Sequence, residues 1–204
     1  MNSKALRIGL TGGIGAGKSY VARILQAMGY PIFHSDAVAK TLLDLDEQLH
    51  VSLIQLFGED IMHNSLPNKE RLASLIFSDN EKREKLNALI HPRVREQFEA
   101  FCAAFPDGIV FNEAAILFET GTYRNLDATI LVAAPELLRL KRIIERDQCN
   151  TELAKAKIAA QWPDDKKMPL SDYLIINDDQ TPLLFQVEEI VFKIAKKLAV
   201  NELV

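Results

Sequence analysis

Eight residues near the start of the chain, Gly12-Gly13-Ile14-Gly15-Ala16-Gly17-Lys18-Ser19, have the types and spacing of a phosphate cradle. Glycines let successive backbone N–H groups turn inward around an anion, at the positive end of the helix that follows. A lysine in the seventh position reaches β- and γ-phosphates, and the hydroxyl of the eighth ligates Mg²⁺, which fits the pattern G-x-x-x-x-G-K-[ST]. That pattern needs a strand before it and a helix after it. The apolar run Leu6-Arg7-Ile8-Gly9-Leu10-Thr11 reads as a buried strand. Lys18 to Met28 reads as a helix with Val21, Leu25 and Met28 on one face, stopped by Gly29. The expected ligand is a nucleoside triphosphate with Mg²⁺.

Other residues narrow the chemistry. A guanine-specific switch carries Asn-Lys-x-Asp, whereas Asn68-Lys69-Glu70-Arg71 has no Asp in the fourth place. Motor ATPases carry Asp-Glu after an apolar strand, and Asn112-Glu113 is only a partial echo of it. The chain's size favours a kinase of small metabolites. Asp36 follows a short strand, Pro31-Ile32-Phe33-His34, in the crevice where open α/β sheets bind ligands. It fits a general base for an attacking hydroxyl, a helix N-cap, or both. Arg139, Arg142 and Arg146 recur at helical spacing, as on any solvated face; one turned to the phosphates would stabilise the transferring group, and Arg146 is the choice. Glu119 reads as a loop acid or as a ligand to a substrate hydroxyl or to metal-bound water, and His91 as a structural histidine or a substrate contact. His50 and His63 are expected at the surface, and Phe98, Phe101 and Phe105 in the core.

These residues need a scaffold. Further strands are expected at Gly108 to Asn112, Ala128 to Val132 and Tyr173 to Ile176, with helices at Pro135 to Arg146 and Thr151 to Gln161 and a C-terminal helix opened by Thr181-Pro182. Five apolar strands separated by helices give an α/β fold with a parallel sheet. The stretch from Asp36 to Phe105 reads as wholly helical, with apolar faces at Val51, Ile54, Leu56, Phe57, then Leu72, Leu75, Ile76, then Leu86, Leu89, Ile90, and a break or restart at Pro92. The expected organisation is one domain over 1–204, with a nucleotide-binding core at 1–36 and 106–204 and a helical insert at 37–105. The 204 residues are 48% hydrophobic and 25% charged, with a net charge of −4, enough apolar residues for a core and no basic excess for nucleic acid. No run of about 18 apolar residues suggests a membrane span. Met1-Asn2-Ser3-Lys4 leads straight into a strand rather than a signal peptide. Cys102 and Cys149 read as plain thiols of a reducing compartment, so the cytoplasm is expected.

The chain also resembles the dephospho-coenzyme A kinases. The resemblance rests on Gly9 to Ser19, Ser35-Asp36-Ala37-Val38-Ala39-Lys40, Leu86-Asn87-Ala88-Leu89-Ile90-His91-Pro92 and Ile116-Leu117-Phe118-Glu119. It continues through Arg142 to Asp147, Ala159-Ala160-Gln161 and Ser171 to Asn177, in the family's order along nearly the whole chain. It implies a P-loop kinase core with an inserted acceptor-binding subdomain and a helical lid at 142–168. It also implies transfer of the ATP γ-phosphoryl to the ribose 3′-hydroxyl of dephospho-CoA. Asp36 takes the place of the proposed base, with Lys18 and Arg146 serving the chemistry. Gly12 to Tyr20, Arg142 and Asn177 fall on the ATP side, with Asn177 where the family contacts adenine. Lys69, His91, Leu117, Phe118 and Glu119 fall on the acceptor side, and Ser19 on the metal. Another P-loop kinase, acting on a nucleoside or nucleotide, is the alternative, and a non-catalytic nucleotide-binding module a more distant one. A monomer without nucleic-acid or membrane partners is expected. Four departures stand out: Tyr20 for a usual Thr, His34 for the first acid of Asp-Ala-Asp, Lys69 for an Arg, and no Arg between Trp162 and Lys167, where Lys166 or Lys167 could stand in.

Overall fold

The first strand, β1 (Leu6–Gly12), is buried on both faces from Arg7 onward, as expected of a central strand in a sheet covered by helices on each side. The glycine-rich turn leads into α1 (Lys18–Ala27), which buries Val21, Ala22 and Leu25; Met28, expected in that stripe, is the C-cap residue and is exposed. Next come β2 (Ile32–His34), α2 (Ser35–Leu45), α3 (Glu47–Phe57), a hairpin of β3 (Met62–His63) and β4 (Leu66–Pro67), α4 (Lys69–Phe77) and α5 (Asn80–Ala103). The chain then runs through β5 (Ile109–Glu113), β6 (Ala128–Ala133), α6 (Glu136–Asp147), α7 (Thr151–Ala159), α8 (Asp164–Lys167), β7 (Tyr173–Ile176) and α9 (Leu183–Asn201). This computed structural model describes residues 4–77 and 79–201. The expectation about a signal peptide falls largely on residues 1–3, outside the described residues.

The five long strands form one parallel sheet in the order β2-β5-β1-β6-β7. Register places Leu10 opposite Glu113 on one side and Ile130 on the other, so the carboxyl ends of β1, β5 and β6 lie level with the phosphate loop. On one face Ile8, Leu10, Phe111, Ile130, Val132 and Ile175 pack with Val21, Ala22 and Leu25 of α1 and Val187, Ile190, Val191 and Ile194 of α9. Each such fully buried aliphatic side chain contributes about 1.5–3 kcal/mol. A smaller cluster of Leu140, Ile143 and Ala154 joins α6 to α7 and takes in Ile14 of the loop.

The chain divides into two units, one of Met1–His34 with Cys102–Val204 and one of Ser35–Phe101. The second is not wholly helical, contrary to the sequence expectation. Asn64 and Ser65, with φ of 48° and 65°, make the two-residue turn of the β3–β4 hairpin, the positive-φ pair that matches strand twist. Two residues per strand are too few to show an alternation, and the turn lacks the glycine that would mark it. Pro92 also fails to break its helix. α5 runs through it, with Arg93 Nη1 donating to the Leu89 carbonyl at 3.0 Å beside the missing ladder bond, and Arg93 Nε donating to Asp46 at 2.9 Å. Asp46 caps α3 by accepting from the Leu49 N–H at 2.9 Å. The buried face of α3 is Leu49, His50 and Leu53 rather than the expected Val51, Ile54, Leu56 and Phe57, of which Val51 and Leu56 are exposed. His50, expected at the surface, is buried with Nε2 2.8 Å from the Leu43 carbonyl. Of the phenylalanine stripe, Phe98 is buried, Phe101 half-buried and Phe105 exposed. Among the described residues no helix is long and apolar enough to cross a membrane.

Candidate active site

The phosphate loop is held from outside by its carbonyls. Arg139 Nε donates to the Ile14 carbonyl at 3.0 Å, Arg142 Nη1 to that of Gly15 at 3.2 Å, and Asn177 Nδ2 to that of Ala16 at 2.8 Å. Because a peptide's C=O and N–H point opposite ways, the held carbonyls of Ile14 and Ala16 turn the following amides of Gly15 and Gly17 to the other side, into the loop. The Ala16 N–H closes a turn onto the Gly13 carbonyl at 2.9 Å, while those of Gly15 and Gly17 have no partner among the described residues. Gly15 and Gly17 have φ of 79° and 91°, conformations that L side chains rarely adopt, and a Cβ on Gly17 would lie 2.0 Å from Asn177 Nδ2. The result is an anion nest at the N-terminus of α1.

Glu113 organises the other side of the nest. It stands at the carboxyl end of β5, and one carboxylate oxygen accepts from Lys18 Nζ and Ser19 Oγ, both at 2.9 Å. The second oxygen meets His34 Nδ1. Gln26 Nε2 lies 3.3 Å from the other ring nitrogen, His34 Nε2. Burial pushes the Glu113 carboxyl up, but the Lys18 ammonium and the hydrogen bonds from Lys18, His34 and Ser19 outweigh it and hold the group below its ordinary value. Asn112-Glu113, a partial motif in the sequence, thus supplies a site residue that sequence reasoning missed. The signal was an acid ending a buried strand that pairs with β1. Ser19 Oγ and the Glu113 carboxylate place two hard oxygen donors together, a set suited to Mg²⁺, completed by nucleotide oxygens. No group of three or more His, Cys, Asp or Glu able to hold a metal occurs among the described residues.

The arginines divide. Arg139, 5% exposed, lies across Gly13, where a Cβ would come within 2.3 Å of its Nη2. Arg142 also faces the loop, and its Nη2 donates to Asn177 Oδ1 at 3.2 Å. Arg146 is 60% exposed and pairs with Asp147 at 2.7 Å; seven residues carry it about 10 Å along the helix from Arg139. Arg146, with Lys157, drives the Asp147 carboxyl well below its ordinary value. Glu119 accepts from the Trp162 N–H at 3.0 Å and pairs with the buried Lys167 Nζ at 2.9 Å, tying down the segment before β7. Lys166 lies instead over the Trp162 ring, 3.5 Å from its centroid. Leu117 and Phe118, read as acceptor contacts, are buried in packing: a Cβ on Gly9 would meet Leu117 at 2.5 Å, and the Phe118 ring lies tilted against that of Tyr123, centroids 5.2 Å apart. Asn177 is buried with its amide spent on Ala16 and Arg142. Tyr20 is exposed beside Arg23.

In the second unit, Asp36 lies exposed in the first turn of α2, two residues beyond β2. Lys69 opens α4 and pairs with Asp44 at 2.7 Å. His91 lies in α5 with Nε2 buried and without a hydrogen-bond partner among the described residues, and burial pushes its imidazole below its ordinary value. A cavity of about 940 Å³ in the first unit is bounded by Ala134, Pro135, Arg139, Gln161, Trp162 and Met168.

A parallel five-stranded sheet, a glycine nest opening a helix and a lysine and serine gathered on a strand-end acid define the class of P-loop small-molecule kinases. The chain belongs to the dephospho-CoA kinase family, whose model matches residues 6–182. It is 35% identical to the dephospho-CoA kinase of Bacteroides fragilis over 95% of each chain, and 40% identical to that of Chlorobaculum tepidum over 91% of this chain and 93% of the other. Among solved structures it resembles a Thermus thermophilus protein (33% identity, TM-score 0.81, 96% and 98% covered). It also resembles the dephospho-CoA kinase of Campylobacter jejuni (25% identity, TM-score 0.66, 94% and 98% covered). The likeness to Acinetobacter baumannii shikimate kinase (16% identity, TM-score 0.53, 95% and 94% covered) concerns the fold alone. The chain is a phosphotransferase of the kinase type.

Proposed function

We propose that the protein transfers the γ-phosphoryl of ATP to the ribose 3′-hydroxyl of dephospho-CoA, giving coenzyme A. The observation that carries this reading is the gathering of Lys18 and Ser19 on Glu113 beside open loop amides, in a chain of this family. The amides of Gly15 and Gly17 bind the phosphates, and Lys18, released from Glu113, follows the β- and γ-oxygens. Ser19, with Glu113 beside it, holds Mg²⁺, which when bound neutralises charge on the nucleotide oxygens. Arg142 and Asn177 flank the base side, where their bonds to Gly15 and Ala16 already fix the loop. Asp36 takes the proton of the attacking hydroxyl; its place just past β2 supports that role. Arg146 moves from Asp147 to the transferring group as the 142–168 lid closes. Lys69, His91 and Glu119 serve the acceptor, in a monomeric cytoplasmic enzyme.

A coupled assay of ADP release tests the reading. Turnover of about 1–100 s⁻¹ with dephospho-CoA, and none with nucleosides or nucleotides, is expected. No acceptor-dependent ADP release would refute it. In the same assay Asp36→Asn should slow turnover by about 10²–10⁴-fold with ATP affinity kept, and a loss below tenfold would reduce Asp36 to a helix cap.

A further inference from the structure

Gln161 reaches the phosphate loop from the segment that follows α7. Its Oε1 accepts from the Ile14 N–H at 2.7 Å, and because that partner is a donor, the orientation of the carboxamide is fixed. The oxygen is spent on the loop. The Nε2 end, with two N–H donors, has no hydrogen bond among the described residues. Its neighbours are held by bonds of their own: the Trp162 N–H is bound to Glu119, Lys167 is paired with Glu119, and Asp164 Oδ2 lies 3.5 Å from Arg139 Nη1. The Ile14 peptides are therefore clamped on both sides, the N–H by Gln161 and the carbonyl by Arg139. Ile14 lies just ahead of the amides of Gly15 and Gly17 in the loop, so a donor held on its peptide stands beside the nest, on the side that precedes those amides rather than the side that enters α1.

We propose that Gln161 is a phosphoryl-contacting residue, whose carboxamide accepts from the loop through Oε1 and donates through Nε2 to the γ-phosphoryl of bound ATP. The side-chain chemistry is selective. An arginine or lysine could donate but not accept from Ile14, and a carboxylate could accept but would repel the phosphate. A carboxamide does both. The contact deepens the kinase reading and rests on it: it binds only a nucleotide with a third phosphate and links residues 161–167 to the presence of that phosphate.

Calorimetric titration of the full-length protein with ADP and with the non-hydrolysable β,γ-imido analogue of ATP tests this without any acceptor. Gln161→Glu keeps size and the bond from Ile14 but replaces the donor with a charge. It should lower analogue affinity by about 10- to 100-fold while ADP affinity stays within about twofold. Gln161→Ala should weaken the analogue selectively by a smaller factor, and retained ADP binding shows that each variant is folded. Three results would overturn the proposal: an unchanged analogue-to-ADP ratio in Gln161→Glu, a parallel fall for both nucleotides, or a rise in analogue affinity in Gln161→Ala. The last would mean that the carboxamide occupies the phosphate's place and is expelled by it. The unaltered protein separates this from the kinase reading: acceptor turnover tests that reading, and the affinity ratio tests Gln161.

Discussion

Glu113 shows how one side chain can prepare a site before its ligand arrives. A lysine and a serine that are to meet phosphate and metal must be kept near them, and a buried carboxylate does this by accepting from both. Because the folded group titrates below its ordinary value of 4.5, its contribution to stability is complete above that value and is lost as pH falls through the folded one. Glu113→Gln should therefore cost about 1–3 kcal/mol at neutral pH, and the difference from the unaltered protein should shrink towards zero in the acid range. Urea unfolding at a series of pH values reads this directly; a pH-independent difference would mean that the side chain's shape, not its charge, is what counts. Turnover should fall with it, since Lys18 loses the partner that holds it at the loop.

At the scale of elements, α6 and the segment 161–167 carry the loop. Arg139 belongs to α6 but lies against Gly13 and Ile14, with Asp164 at its other end. Burial pushes the Asp164 carboxyl up in spite of Arg139 and Lys167. Removing Arg139 takes one of those cations away from the acid. Arg139→Ala should cost about 1–3 kcal/mol in thermal or urea unfolding and weaken ADP binding, and adding Asp164→Asn should restore part of the stability. Additive losses in the double variant would show that the two side chains are not coupled. Long elements of this kind were legible in sequence. The runs Ile109 to Asn112 and Ala128 to Val132 are apolar because both sheet faces are covered, and the loop was readable from glycine spacing. Which arginine faces it was not, since residues 139, 142 and 146 share a periodicity and differ in height along the axis. Nor could periodicity show that Pro92 would be spanned, because the ion pair of Arg93 with Asp46 forms only in three dimensions.

For the whole molecule, the sheet decides both stability and where chemistry happens. Ile130 lies in the β6 strand beside β1, almost fully buried, whereas Leu137 in the first turn of α6 is 82% exposed. Ile130→Ala should destabilise by about 2–5 kcal/mol, and Leu137→Ala by no more than about 0.5 kcal/mol. Equal losses in urea unfolding would contradict the placement of β6 inside the sheet, between β1 and β7. The carboxyl edge of that sheet was foreseeable as the site from alternating strand and helix alone. Its acid was harder to find, because Glu113 acquires meaning only once register sets it beside Leu10.

Trp162 is the chain's only tryptophan. It directly follows Gln161, its N–H is held by Glu119 and its ring lies beneath the Lys166 ammonium. Indole emission is sensitive to a neighbouring cation, and no second fluorophore of its kind dilutes the signal. The protein thus carries an intrinsic optical probe at the residue next to its phosphate loop. Stopped-flow mixing with nucleotide could follow that segment's movement in real time, without an attached dye.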